Sequence, residues 1–211
     1  MEAYGLKKGK LITKTHKIET FKYNEEDKDI GEIKARIDDQ ENPHIQLEYR
    51  PLKTWANGDT YEGQWNKVTS LKHGYGTYVW ENGQEYEGYW KNGKQNGEGT
   101  FTWPNGDIYE GEYKNGQKHG KGKLTCANGT IYQGDFKADK SCGLGTQSWP
   151  NGDKYEGYFA DNKENGKGTY TWDDGRKYVG VWKQGKRHEK GVFYDPEGNP
   201  VPLEWSNGQL L

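Results

Sequence analysis

Six polar residues of metal-ligand type recur at a fixed interval: His73, Asn96, His119, Cys142, Asn165 and His188, each 23 residues after the last. Histidine and cysteine bind zinc, so a metal column is the first chemistry to weigh. If successive copies are hydrogen-bonded strand pairs, neighbouring members stand about 9.6 Å apart, two strand spacings. Zinc holds its ligand atoms at about 2.0–2.3 Å, so the column does not close on one ion and reads as polar capping of loops. A second column, Glu62, Glu87, Glu110 and Glu156, with the pair Asp173-Asp174, has the groups of acid–base catalysis. These carboxylates recur from copy to copy on a solvent face, whereas an enzyme needs one unique, desolvated constellation. No catalytic residue, cofactor or metal site is expected, and the chain does not read as an enzyme.

Two further sets suit binding. Lys91, Lys94, Lys114, Lys118, Lys121, Lys137, Lys140, Lys163, Lys183, Lys186 and Arg187 fall in the same part of each copy. Lined up along one edge, they would attract an anionic lipid surface at about 1 kcal/mol per residue. The aromatics form columns of their own: Trp55, Trp80, Trp103, Trp149, Trp172, and Tyr61, Tyr86, Tyr109, Tyr132, Tyr155, Tyr178, with Trp90, Phe101, Tyr113 and Trp182 beside them. They are packing residues first. In a single layer part of their surface stays accessible, and accessible apolar surface marks an interaction site, so a groove that anchors a partner is expected on them.

The element that must present these columns is the unit from Tyr86 to Asp107. Shifting it by 23 residues lays Tyr109-Glu-Gly-Glu-Tyr on Tyr86-Glu-Gly-Tyr-Trp, and the leading tyrosines at 61, 86, 109, 132, 155 and 178 are spaced 25, 23, 23, 23 and 23. The first spacing puts a two-residue insertion between Asn66 and His73, where repeat arrays tolerate it. Period-2 alternation in Tyr109–Tyr113 and in Gly99–Trp103 predicts strands, so each unit is one hairpin. Pro104-Asn-Gly-Asp and Pro150-Asn-Gly-Asp, with their counterparts at Ala56, Glu81, Ala127 and Asp173, have the signal of tight hairpin turns. Lys114-Asn-Gly-Gln-Lys-His-Gly-Lys-Gly122 reads as the longer, basic connection.

Bulk composition is that of a chain too polar to fold, with mean hydropathy −1.28 and 29% charged residues. Nine Trp, 16 Tyr and five Phe supply the missing core, each burying about 150–250 Å². Net charge is −2, so no overall field draws the chain to nucleic acid. Residues 1–44 stand outside the repeat as a charged arm, extended, with a short helix suited by Ile30, Ile33 and Ile37. Residues 45–211 form the repeat domain, with His44–Trp55 as an N-terminal cap. The other end, Val201–Leu211, is an eroded edge with Pro200 just before it and Pro202 within it, a surface for self-association. The N-terminus lacks the apolar stretch of a signal peptide, and Cys126 and Cys142 read as free thiols; a cytoplasmic chain is expected.

The pattern Tyr-Glu-Gly-x-Trp/Tyr-x-Asn-Gly-Lys-x-x-Gly-x-Gly-x-Tyr/Phe-x-Trp-x-Asn-Gly resembles the MORN repeat, the membrane-occupation-and-recognition-nexus unit. The resemblance covers roughly Trp55 to Trp205, about six copies with eroded ends. Departures are Cys126 in place of the strand-end Trp, and Tyr132-Gln-Gly-Asp-Phe and Tyr178-Val-Gly-Val-Trp without the Glu. The resemblance implies an all-β, single-layered, twisted antiparallel sheet of hairpin repeats bent into a groove. It also implies a scaffold that docks a helical or extended protein segment in cytoskeletal or ciliary (axonemal) assemblies, with phosphoinositide binding as the alternative.

Overall fold

The structure, a computed structural model, describes the backbone of residues 7–12 and 18–23 and all of residues 45–211. Most of the arm, including the helix expected around residues 30–37, lies outside the described residues. The two described pieces of the arm are strands β1 (Lys7–Ile12) and β2 (Ile18–Tyr23), paired antiparallel with Lys7 opposite Tyr23 and Ile12 opposite Ile18.

The remaining strands form one 15-stranded antiparallel sheet in strict chain order. They are β3 (Leu47–Thr54), β4 (Thr60–Asn66), β5 (Lys72–Val79), β6 (Glu85–Lys91), β7 (Lys94–Thr102), β8 (Ile108–Lys114), β9 (Gln117–Thr125), β10 (Ile131–Lys137), β11 (Lys140–Ser148), β12 (Lys154–Ala160), β13 (Lys163–Thr171), β14 (Lys177–Lys183), β15 (Lys186–Tyr194), β16 (Pro200–Ser206) and β17 (Gln209–Leu210). The fold is all-β, with no helix among the described residues. The cap expected before Trp55 is the edge strand β3, and the insertion after Asn66 lies in the turn between β4 and β5.

Outside the first unit, whose insertion lengthens the turn between β4 and β5, the two turns of a unit are the reverse of the expected lengths. β6 and β7 are joined by Asn92 and Gly93 alone, at φ 50° and 81°, the doubly left-handed turn whose twist matches its flanking strands. Pro104-Asn105-Gly106 instead sits in a five-residue loop from Trp103 to Asp107. There the Trp103 carbonyl accepts Gly106 N–H at 2.9 Å and Trp103 N–H donates to the Asp107 carbonyl at 2.9 Å. The stretch Lys114–Gly122 is therefore mostly strand β9 entered through a two-residue turn.

One glycine pair per unit lets a ring lie flat on the sheet. A Cβ on Gly88 would stand 2.5 Å from Gly99 Cα, and one on Gly99 would stand 2.5 Å from the Tyr86 ring. A bulge follows that pair, between Gly88 and Trp90 in β6, and recurs after Gly111, Gly134, Gly157 and Gly180. Glu189 occupies the place of the glycines 97, 120, 143 and 166 and shares their left-handed backbone, φ 57°.

The C-terminal edge has a chemical guard. Leu211 N–H donates to the Glu204 carbonyl at 3.0 Å, so alternate residues Glu204, Pro202 and Pro200 turn their backbone groups away from β15. At two of those three positions proline has no N–H to offer another strand.

Candidate functional site

The first strand of each unit places its Tyr, Gly and second aromatic on one face. Thirteen rings on that face form an unbroken zigzag: Trp65, Tyr61, Trp90, Tyr86, Tyr113, Tyr109, Phe136, Tyr132, Phe159, Tyr155, Trp182, Tyr178 and Trp205. Consecutive centroids are 4.9–6.2 Å apart with planes at 81–90°, the edge-to-face geometry aromatic quadrupoles favour. Five of the six leading tyrosine hydroxyls donate to the carbonyl three residues on, at 2.9 Å for Tyr61 and Tyr86, 3.0 Å for Tyr109 and Tyr132 and 3.1 Å for Tyr155; the buried Tyr178 hydroxyl has no hydrogen-bond partner among the described residues. Burial pushes these hydroxyls well above the ordinary tyrosine pKa.

This spine corrects the expected groove. Tyr61, Tyr86, Tyr109, Tyr155 and Tyr178 are fully buried, and Trp90, Tyr113, Tyr132 and Trp182 are at most 7% exposed. They are covered because each ring is pressed onto glycine backbone below and flanked by rings of its own and the next unit. They hold units together and offer a guest almost no surface.

The accessible aromatics form a second ribbon beside the spine. Trp55, Tyr78, Trp80, Phe101 and Trp103 run in one half, Trp149, Tyr170, Trp172 and Phe193 in the other, all half-buried. Neighbouring centroids in the first half are 5.6, 4.6, 5.2 and 4.4 Å apart. In the second half they are 5.4, 4.9 and 5.9 Å apart. Between the halves stand Leu124, Cys126 and Gln147. The five expected tryptophans and Phe101 belong here. Tyr78, Tyr170 and Phe193 were missed, although 78, 101, 124, 147, 170 and 193 are themselves a column at the 23-residue spacing.

A further column, Lys72, Gln95, Lys118, Ser141, Glu164 and Arg187, lies on the same face opposite the spine rings. Lys72 Nζ sits 3.7 Å from the Tyr78 centroid and 4.2 Å from that of Trp90. Burial there lowers its pKa to about 8, against the opposing pull of Asp59. Lys118 lies over Trp103, Tyr109 and Phe136, and Arg187 over Trp172, Tyr178 and Trp205. Two members of the expected basic edge are thus drawn onto rings, and Lys121 is on the opposite face, 2.6 Å from Asp135. Lys91, Lys94, Lys114, Lys137, Lys140, Lys163, Lys183 and Lys186 do flank the two-residue turns and are exposed, with Lys140 held 2.7 Å from Asp161.

The ligand-type column caps those same turns. His73 Nδ1, Asn96 Oδ1, Asn165 Oδ1 and His188 Nδ1 each accept a backbone N–H from the next unit's turn, at 3.5, 3.4, 3.3 and 3.4 Å. The glutamates lie on the face away from the spine: Glu62 and Glu87 accept the hydroxyls of Tyr49 and Tyr75. Glu110 stands 3.8 Å from Lys123.

A family model described as MORN repeat matches residues 70–85, 86–108, 109–131, 132–154, 155–175 and 178–199. No curated protein matches the chain. Among solved structures, a catalytically inactive virginiamycin B lyase from Staphylococcus aureus, crystallised with quinupristin, aligns over 77% of this chain and 75% of its own. Identity is 10% and the TM-score 0.18, a likeness too low to carry an argument.

Proposed function

Because the chain belongs to the MORN-repeat family, whose units bind proteins or membrane lipids and are generally non-enzymatic, we propose that it is a non-catalytic scaffold for a partner protein. The half-buried ribbon Trp55–Trp103 and Trp149–Phe193 docks a helical or extended segment of that partner. The observation that carries this reading is the division of the face into two tiers. The spine spends its aromatic surface on holding units together, and the ribbon keeps large rings in reach of solvent, where aromatics anchor partners. A cytoskeletal or ciliary assembly, reached from the cytoplasm, is the setting we infer; family resemblance alone supports it.

Replacing Trp80, Trp103 and Trp172 together by alanine should abolish co-purification of the partner from native cells while the sheet still melts cooperatively. Undiminished recovery with that folded variant rejects the reading.

The lysines flanking the two-residue turns favour a second reading, an adaptor for phosphoinositide membranes. It predicts sedimentation with phosphoinositide vesicles that weakens as salt rises; failure to sediment at low salt removes it.

A further inference from the structure

Two units of the sheet are built on the same four rings but hold opposite charges. In one, Trp55, Tyr61, Tyr78 and Trp90 surround the Lys72 ammonium, with centroids at 5.9, 5.6, 3.7 and 4.2 Å. The equivalent residues four units on are Trp149, Tyr155, Tyr170 and Trp182, and the residue in the lysine's place is Glu164.

The match extends to geometry. Trp55 and Tyr78 are 5.6 Å apart at 36°, Trp149 and Tyr170 5.4 Å at 35°. Tyr78 and Trp90 are 6.0 Å apart, as are Tyr170 and Trp182. Tyr78 donates to Asp59 at 2.5 Å and Tyr170 to Asp153 at 2.6 Å. The Trp90 and Trp182 indoles both donate to a glycine carbonyl, of Gly76 and Gly168. In the other units the set is incomplete: Phe101, Leu124, Gln147 and Phe193 replace the second tyrosine.

Ring faces are electron-rich and attract cations, and wherever this column holds a cation the chain lays it over those rings. A carboxylate has nothing to gain from a ring face, and no ion pair to Glu164 is present among the described residues. A positive group seated there would meet the aromatic faces and a carboxylate together. We propose that the Trp149–Tyr155–Tyr170–Trp182 box, with Glu164 as counter-charge, receives a lysine ammonium or arginine guanidinium from the partner segment, the place Lys72 fills in its own unit. The inference rests on the scaffold reading and adds the chemistry of one anchor in the partner.

The probe is N-acetyl-arginine amide, titrated into the isotopically labelled full chain while the indole N–H signals of Trp149 and Trp182 are followed, with the neutral citrulline analogue as control. The arginine probe should give saturable shifts at those two indoles, and citrulline should bind about tenfold more weakly or less. Glu164→Gln should weaken arginine binding about tenfold, and Glu164→Lys should abolish it by filling the box from within. Lys72→Glu should create a second site, seen at Trp55 and Trp90. No shift in the wild type, an equal response to both probes, or a response that survives Glu164→Lys overturns the proposal. Glu164→Gln keeps it testable should the lysine variant fail to fold. A partner lost with the Trp80, Trp103 and Trp172 substitutions but retained by Glu164→Lys would leave the scaffold standing and remove the cation site.

Discussion

His73 shows how one residue of a repeating column acquires a property its neighbours lack. Like Asn96 and Asn165 it accepts a turn N–H from the next unit, but it is 5% exposed and it titrates. Burial lowers its pKa below the ordinary histidine value of 6.5, and the Lys91 charge adds to this. The unfolded chain therefore takes up a proton that the folded chain refuses. The stabilisation is complete above about pH 6.5 and is lost as pH falls through the folded pKa. Protonation would also remove the Nδ1 acceptor. His73→Asn keeps an acceptor of the kind the column already uses and has no proton to gain. The urea midpoint of the wild type should fall between about pH 7 and 5 while that of the variant stays flatter; parallel curves would show that another group sets the acid sensitivity.

At the scale of strands and turns, the 23-residue spacing made the hairpins and the antiparallel sheet legible, but not which turn was short. Both connections contain Asn-Gly, and the difference lies in whether two residues or five close the chain, which depends on the Trp103 backbone bridging its loop. The aromatic columns were legible too, but not which of them is sealed, because that follows from rings settling over paired glycines. The Lys72-to-Arg187 column was invisible because its residue types share no chemistry. The C-terminal edge was legible in its prolines, and the structure adds that Pro200 and Pro202 hold the outward-facing positions. Replacing both by threonine restores two donors to that edge and should raise concentration-dependent association in light scattering above that of the parent. A double variant that scatters like the parent would show that β17 and the terminal leucines guard the edge without them.

At the scale of the whole 15-stranded sheet, a single layer of repeated units, stability is close to a sum of terms within units and between neighbours. The spine supplies such a term at every step. The ribbon does not: contacts that run to Trp103 resume only at Trp149, and Leu124, Cys126 and Gln147 fill the interval. Aromatic pairs contribute about 0.5–1.5 kcal/mol each beyond burial, so the middle of the sheet lacks several such pairs present on either side. Backbone amides of β10 and β11 should therefore exchange with solvent before those of β6 and β7 or β13 and β14, although the centre of an array is ordinarily better protected than its ends. Cys126→Trp with Gln147→Phe installs residue types that these columns carry elsewhere and would extend the second half back to Leu124. About 1–3 kcal/mol is expected, a rise of a few degrees in Tm for a chain of this size, together with slower exchange in β10 and β11. Uniform exchange along the parent sheet, or an unchanged Tm in the filled variant, would mean that the spine alone sets the coupling between units. The ribbon would then be free to vary with the partner it meets.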